Sequence, residues 1–274
     1  MASVDVPERI ANHDRLERSH ISSRRRLLAM EVDNIRLDWA TAEAMAFGTL
    51  IAEGHSVRLS GQDCRRGTFS HRHAAFTDQS SESLYFPFDH WQKAEGKYRV
   101  VNSNLSALAV MGFEYGYSWE DPRTLVLWEA QFGDFNNGAQ IIIDQFLASG
   151  ESKWMKQSGL VLLLPHGYDG AGPDHSSGRL ERFLQLVDSP ALDAVSSKQS
   201  IDWKDFTHNS NMIVANLTTP ANYYHLLRRQ QQRAFRKPVA LLAPKTLLRL
   251  PQATSSIHDM GPEQLSSSST LMSL

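Results

Sequence analysis

Short apolar runs alternate along this chain with segments whose apolar residues recur at helical spacing, and this alternation limits the folds that it can adopt. Residues 159–165 and 239–243 are apolar without strict alternation, which is typical of strands buried on both faces. Strands separated by helices predict a doubly wound α/β fold around a mostly parallel sheet. The predicted strands are 57–60, 124–130, 159–165, 211–217 and 239–243, and the predicted helices are 38–53, 103–117, 136–149, 177–187 and 220–235.

Local signals mark the ends of several of these elements. Asp38 can cap the first predicted helix and Gly54 can end it, while Pro220 fits the first turn of the last one. We therefore expect three regions: an N-terminal extension (1–32), one α/β domain (33–250) and a disordered tail (251–274). The polar stretch 188–206 is interpreted as a surface excursion of the domain.

Composition excludes several classes of function. A formal net charge of −2 with mixed signs predicts neither a nucleic-acid nor a membrane partner. The longest apolar runs are far too short to cross a bilayer. One cysteine, Cys64, excludes an internal disulfide framework and a site built from several thiolates. The basic run 24–26 lies among acidic residues, so we expect no clear targeting presequence.

In open parallel sheets, ligands bind beyond the carboxyl ends of the strands. This rule selects the loops 61–73, 131–137, 166–176 and 218–220. The first three are rich in glycine, histidine, aspartate and aromatic residues. We therefore expect a small-molecule site where these loops meet.

The first loop contains two imidazoles, His71 and His73, that can carry protons near neutral pH. An ordinary surface loop explains them equally well. A metal site is disfavoured, because residues two apart on an extended loop point in opposite directions and no acidic or thiolate ligand accompanies them. No metal site is predicted.

The second loop places two aromatic rings, Phe132 and Phe135, around a glycine. Such rings offer a stacking platform for a flat heterocycle, and Gln131 could hydrogen-bond its edge. The alternative is simple core packing of the rings. Asp134 could in turn be no more than a helix cap.

The third loop has three glycines and two prolines, and His166 and His175 bracket it ahead of a helix. A helix N-terminus favours an anion, but neither the dinucleotide-binding nor the P-loop spacing is present. The residues alone thus predict a small-molecule site with imidazole chemistry and leave the reaction open.

Three strings in these loops resemble the thiamine-diphosphate-dependent decarboxylating components of 2-oxoglutarate and 2-oxoadipate dehydrogenase complexes. The strings are RLSGQD with RGTFSHRH (58–63 and 66–73), LWEAQFGDF (127–135) and LLPHGYDGAGPDHSS (163–177). The resemblance covers residues 33–260. The strings LDWATAE (37–43), GAGPD (170–174) and HLLRRQ (225–230) are closer to the 2-oxoadipate branch.

The resemblance implies a transketolase-like pyrimidine-binding domain that receives the aminopyrimidine ring of thiamine diphosphate. It implies that Phe132 and Phe135 contact this ring beside Gln131, and that His175 faces the reacting centre. His71, His73 and His166 are further catalytic candidates from their loop positions. In the family a second domain, which we expect to lie outside this chain, holds the diphosphate and magnesium.

The family's activity is oxidative decarboxylation with acyl transfer to a lipoyl arm. The resemblance therefore implies a lipoyl-bearing acyltransferase partner, a homodimer or a full-length paralogue as the second subunit, and a mitochondrial location. Two further hypotheses are a catalytically inactive, truncated paralogue that acts as a dimerisation or regulatory module, and a fragment of a longer gene.

One departure from the family pattern bears on activity. Family members carry a glutamate at the position of Ala107, and its carboxylate hydrogen-bonds a pyrimidine nitrogen and helps to activate the cofactor. An alanine cannot do so. Glu114 lies two helical turns further on, roughly 10 Å away at about 1.5 Å rise per residue, and is a poor substitute. The sequence therefore predicts impaired catalysis.

Overall fold

Six parallel strands form the centre of the computed structural model, which describes residues 6–91, 94–188 and 209–261. Along the sheet the strands run in the order β5-β2-β6-β7-β9-β8, and every neighbouring pair is parallel. The strands are β1 (Arg36–Leu37), β2 (Ser56–Gly61), β3 (Phe76–Thr77), β4 (Leu84–Tyr85), β5 (Tyr98–Asn102), β6 (Thr124–Glu129), β7 (Val161–His166), β8 (Ile213–Asn216), β9 (Val239–Pro244) and β10 (Ser255–Ser256).

Two short helices lie in the N-terminal extension, and the others follow strands of the domain and cover both faces of the sheet. The helices are α1 (Asp14–Leu16), α2 (Ser22–Leu28), α3 (Trp39–Ala52), α4 (Ala107–Glu120), α5 (Gln140–Ile142), α6 (Gly150–Trp154), α7 (Leu180–Leu186) and α8 (Pro220–Gln232). A π-helical turn, Glu17–Ile21, joins α1 to α2, and another, Ile143–Leu147, follows α5. Asp38 caps α3 by accepting a hydrogen bond from the Thr41 amide at 2.8 Å, as the sequence predicts.

The two faces of the sheet bury two separate cores, because successive residues of a strand point to opposite sides. In β6, Leu125 and Leu127 face the core beneath α3 and α8. Val126 and Trp128 face the other core, beneath α4 and α7. The predicted doubly wound α/β fold is confirmed, with a central sheet that is entirely parallel.

Strand β5 is not among the predicted strands, and it lies between the predicted strand 57–60 and the predicted helix 103–117. It pairs with β2 from Tyr98 to Asn102 at the edge of the sheet. Only Tyr98 and Val100 are buried, so the segment lacks the continuous apolar pattern that marks the inner strands. Tertiary pairing decides its conformation.

The expected disordered tail is wrong for residues 251–261. Strand β10 pairs antiparallel with β1, and a 3-10 turn, Ile257–Met260, follows with a capping box at Ser256. The side chain of Met260 is buried against the α3 and α8 core. The remainder of the predicted tail, and residues 189–206 of the predicted surface excursion, lie outside the described residues.

The N-terminal extension packs on the domain. Val6 and Ile21 share a small apolar cluster with Phe76 and Tyr85, which belong to the β3–β4 hairpin. Ala11 reinforces this contact, since its amide donates to Asp78 at 3.2 Å. Among the described helices, none has the length and apolar character needed to span a membrane.

Candidate functional site

The carboxyl ends of β2, β5 and β6 open onto a cavity of about 270 Å³, which we call the edge cavity. A single water needs about 10–15 Å³, and ligand pockets begin at about 300 Å³. The volume of the edge cavity is therefore close to that of a small-molecule site. Its walls come from the loops after β2 and β6 and from the start of α4. The lining residues are Gly61, Gln62, Ser103, Leu105, Ala107, Val110, Trp128, Glu129, Ala130, Gln131, Phe135, Asn137 and Gly138.

Three of the predicted site residues meet beside this cavity. The ring of His175 lies 4.7 Å from the ring of Phe132 and 5.4 Å from that of Phe135, edge-on to both. Phe135 is 43% exposed, so core packing does not account for it. A fourth ring, Phe69, lies edge-on to Phe132 at 5.6 Å. Phe69, Phe132, Phe135 and His175 form what we call the ring cluster.

Gln131 lines the edge cavity next to the ring cluster. Its side-chain amide donates to the carboxylate of Asp63 at 3.2 Å and so bridges the loops after β6 and β2. The nearby Asp134 is buried, and its carboxylate lies 3.6 Å from the guanidinium of Arg179. Asp134 therefore tethers the start of α7 and does not cap its own helical turn.

His166 closes its own loop. Its Nδ1 accepts a hydrogen bond from the Gly178 amide at 2.9 Å, which ties the last residue of β7 to the residues before α7. The backbone of this loop also approaches Gly133, where a Cβ would lie 2.7 Å from the Pro165 carbonyl oxygen. Glycine is thus required there, since any side chain would separate the loops that hold Phe132 and His175.

His71 and His73 do not join the ring cluster. The ring of His73 lies 4.8 Å from that of His20 in the N-terminal extension, and its Nε2 contacts the Ser70 carbonyl at 3.0 Å. His71 lies over Gly67, and burial together with the neighbouring Arg72 lowers its pKa to about 3. The predicted catalytic roles of His71 and His73 gain no support from this placement and stay predictions.

Lys245 belongs to the site but escaped the sequence analysis. It is buried, and its ammonium donates to the Gly167 carbonyl at 2.9 Å and to the His175 carbonyl. The same group lies 5.0 Å from the centre of the Phe132 ring. Lys245 immediately follows β9, which ends at the same sheet edge as β7. The end of the fifth predicted strand, 239–243, could have indicated this residue. The sequence analysis selected only the loops after the first four strands.

A buried ion network supports the loop after β2. Arg72 donates to Glu43 at 2.6 and 3.0 Å and to Glu129 at 2.6 and 2.8 Å, while Tyr223 donates to Glu43 at 2.7 Å. Burial raises the pKa of Glu129, but in Glu43 Arg72 and the Tyr223 hydroxyl outweigh burial and lower the pKa. Sequence reasoning missed this network, because its members lie far apart in the chain.

Ala107 is the first residue of α4 and lines the edge cavity. The only acidic residue in that lining is Glu129, whose carboxylate is held by Arg72. Glu114 is also committed elsewhere, because both of its oxygens accept from Arg58 at 2.7 and 2.8 Å and its side chain is 1% exposed. Neither carboxylate is free to take the place of one at position 107.

Within residues 6–91, 94–188 and 209–261, no group of three or more histidine, cysteine, aspartate or glutamate side chains is arranged to hold a metal ion. His175 lies with its Nδ1 3.1 Å from the carboxylate of Asp174, whose pKa is lowered by this contact. The ring cluster itself offers aromatic surfaces and the imidazole of His175.

Comparison with known proteins agrees with this geometry. A family model described as "Transketolase, pyrimidine binding domain" matches residues 36–251. The human "2-oxoadipate dehydrogenase complex component E1" is 53% identical over 263 residues, which are 96% of this chain and 27% of the relative. The "2-oxoglutarate dehydrogenase E1 component" of Brucella anthropi is 50% identical over 260 residues, 95% of this chain and 24% of the relative.

The chain thus spans about a quarter of the length of the curated relatives that it matches. The matched region contains the whole six-stranded sheet and every residue of the ring cluster and the edge cavity. This chain belongs to the transketolase pyrimidine-binding domain family and is related to the E1 components of 2-oxoadipate and 2-oxoglutarate dehydrogenases.

Proposed function

We propose that this chain supplies the aminopyrimidine-binding half of a thiamine-diphosphate-dependent 2-oxo acid dehydrogenase. The reaction would be oxidative decarboxylation of 2-oxoadipate or 2-oxoglutarate, with transfer of the acyl group to a lipoyl arm. The observation that carries the proposal is the exposed Phe135 ring beside His175, at the mouth of a cavity formed by the carboxyl ends of parallel strands.

The edge cavity fits an aminopyrimidine in shape and polarity. Phe135 and Trp128 supply apolar surface for a flat ring, and the Gln131 amide can hydrogen-bond its edge. Gly61, at the end of β2, must be a glycine, since a Cβ there would lie 2.2 Å from the Glu129 carbonyl oxygen and would separate β2 from β6 at the floor of the cavity. A heterocycle of this size could therefore reach the ring cluster.

When bound, thiamine diphosphate supplies the electron-accepting ring that decarboxylation of a 2-oxo acid requires. The protein's part is orientation and proton exchange. Phe132 and Phe135 hold the imidazole of His175 between their edges, and Lys245 fixes the His175 backbone. The imidazole is partly exposed, with 31% of its side chain accessible, and can hold or pass a proton at the mouth of the cavity.

Ala107 sets the expected limit on activity. The cavity wall at this position carries a methyl group where the family has a carboxylate, and Glu114 and Glu129 are bound to arginines. Within residues 6–91, 94–188 and 209–261, no acid is therefore placed to partner the ring nitrogen that the carboxylate would contact. We infer that turnover is impaired, because general acid–base assistance of this kind contributes about 10²–10⁴-fold.

The diphosphate and its magnesium ion would be bound by residues outside this chain. The second subunit would be another copy of the protein or a full-length paralogue. A lipoyl-bearing acyltransferase would take the acyl group, and the location would be mitochondrial, both by relationship to the E1 components.

A second candidate function follows from Ala107. A chain that lacks the activating carboxylate could act as a dimerisation or regulatory module for an active paralogue. Calorimetric titration of the chain with thiamine diphosphate and magnesium addresses this candidate. A lone pyrimidine-binding half is not expected to bind thiamine diphosphate saturably in the micromolar range. Saturable micromolar binding would count against the need for a second subunit.

A chimaera tests the main proposal. Residues 36–251 of this chain replace the matching segment of the human 2-oxoadipate dehydrogenase E1 component, and decarboxylation of 2-oxoadipate and 2-oxoglutarate is followed. The chimaera is expected to be weakly active, and Ala107→Glu is expected to raise kcat/KM by about 10²–10⁴-fold. The preferred substrate identifies the branch.

The matched control is Leu108→Glu, which adds the same charge to the same helical turn at a residue that is 38% exposed and does not line the edge cavity. It should leave activity unchanged. A chimaera with Ala107 that works as well as the human parent would overturn the inference about this position. A chimaera that stays inactive with Ala107→Glu although it folds and dimerises would overturn the assignment of the cavity.

A further inference from the structure

A second cavity, of about 300 Å³, lies on the far side of the loop after β2. We call it the basic cleft. Its walls come from the N-terminal extension, from the loop that carries Phe69, and from the turn after β9. The lining residues are His13, Arg15, Leu16, Ser19, Ser70, His73 and Arg249.

None of these lining residues is acidic. Within the part of the chain that the structure describes, neither Arg15 nor Arg249 forms an ion pair. Both residues are exposed, so their guanidinium groups can reach a ligand in the cleft. The cleft is thus a concave surface with excess positive charge, although the whole chain carries a net charge of −2.

The pKa of His73 reflects the same excess of positive charge. Burial, followed by the positive charges of Arg24, Arg66 and Arg249, lowers the pKa of His73 to about 4 although its ring contacts the Ser70 carbonyl. The imidazole is therefore neutral near pH 7. A neutral imidazole adds no further repulsion of its arginine neighbours, and its one N–H is used by the Ser70 carbonyl.

We propose that the basic cleft binds a phosphate group, free or as part of a small phosphate ester. Guanidinium groups suit phosphate because their N–H donors match its oxygens in pairs. Arg15 and Arg249 supply this recognition from opposite walls, and the Ser70 hydroxyl supplies a neutral donor between them. The proposal goes beyond the cofactor function and does not depend on it.

The cleft is connected to the ring cluster through one residue. Arg249 donates two hydrogen bonds to the Phe69 carbonyl, at 2.7 Å through Nε and also through Nη2. The Phe69 ring in turn lies edge-on to Phe132 at 5.6 Å. A phosphate that draws Arg249 away from this carbonyl would shift the loop that positions Phe69. Occupancy of the basic cleft would therefore change the contact between the Phe69 and Phe132 rings.

The test is calorimetric and NMR titration of the full 274-residue chain with inorganic phosphate and, separately, with glycerol 3-phosphate, at constant ionic strength. Saturable binding is expected, with resonance shifts at Arg249 and Phe69. Arg249→Gln and Arg15→Gln should each weaken binding by at least about tenfold, which corresponds to one charge-assisted hydrogen bond. Arg15→Gln changes an exposed side chain that makes no ion pair in the described structure, so folding should be kept.

Arg18→Gln is the matched control, because it removes the same charge from the same helical run at an exposed residue that does not line the cleft. It should bind phosphate like the parent chain. Tighter binding of glycerol 3-phosphate than of phosphate would support an organic ester as the ligand, and equal binding would support the free ion. No saturable binding of either probe, or equal weakening by Arg18→Gln, would overturn the proposal.

Discussion

Replacing Lys245 by methionine tests whether this lysine holds the loop that presents His175. Its ammonium donates to two carbonyls of that loop, those of Gly167 and His175. Each charge-assisted hydrogen bond contributes about 1.5–3 kcal/mol, so the gross loss is about 3–6 kcal/mol. Burial lowers the pKa of Lys245, which shows that holding the charge there has a cost that methionine removes.

The net loss should be smaller than the gross one. Gly167 and His175 are only half-buried, so water can bond their freed carbonyls, and methionine fills a similar apolar volume. We expect about 1–2 kcal/mol, expressed mainly as opening of the loop. Amide hydrogen exchange in residues 166–178 should therefore accelerate by about 5–30-fold, while exchange in β7 changes less.

The assay is hydrogen exchange followed by mass spectrometry of the parent chain and Lys245→Met. Lys153→Met is the control, since Lys153 is exposed and its ammonium contacts Gln145 and the Trp154 ring, outside residues 166–178. Lys245→Arg, which keeps the charge, should give a loop exchange rate between those of the parent chain and Lys245→Met. A folded Lys245→Met chain whose loop exchanges at the parental rate would refute the reasoning.

Two more predictions concern the buried groups behind the site. In urea unfolding, Arg72→Met should lower the free energy of unfolding by about 3–5 kcal/mol, because it leaves two buried carboxylates without their cation. Adding Glu43→Gln and Glu129→Gln to this variant should restore part of the lost stability. A loss below about 1 kcal/mol for Arg72→Met would contradict the prediction. His71 is protonated in the unfolded chain near pH 6.5 but only near pH 3 in the folded one, so it makes stability fall as pH drops between these values. His71→Gln should reduce that slope by up to about 1.4 kcal/mol per pH unit in urea unfolding between pH 4 and 6.5, and an unchanged slope would exclude this role.

Much of the fold followed from local patterns, because the inner strands are buried on both faces. Residues 159–165 and 239–243 are apolar enough to be recognised by themselves, and Asp38 and Pro220 mark helix starts through local chemistry. Strand β5 was missed because an edge strand buries one side, and β10 because its two residues gain order only by pairing with β1.

The residues of the candidate site also fall into those that the sequence could identify and those that it could not. Phe132, Phe135 and His175 could be chosen from the sequence, because a parallel sheet brings the loops after its strands to one edge. The sequence could not show that His73 lies beside His20, since this contact depends on how the N-terminal extension packs on the domain. The sequence also could not reveal that Glu114 is bound to Arg58, a partner 56 residues away.

The order of apolar and polar residues thus determined the doubly wound sheet and the edge at which the candidate loops meet, because both depend on the periodicity of the strands and helices. Only the tertiary structure decided which side chains meet. Lys245 reaches His175, and Arg72 joins Glu43 to Glu129, through contacts between segments 29 to 70 residues apart. Such contacts exist only once the chain has folded, since no local pattern specifies a partner across the sheet.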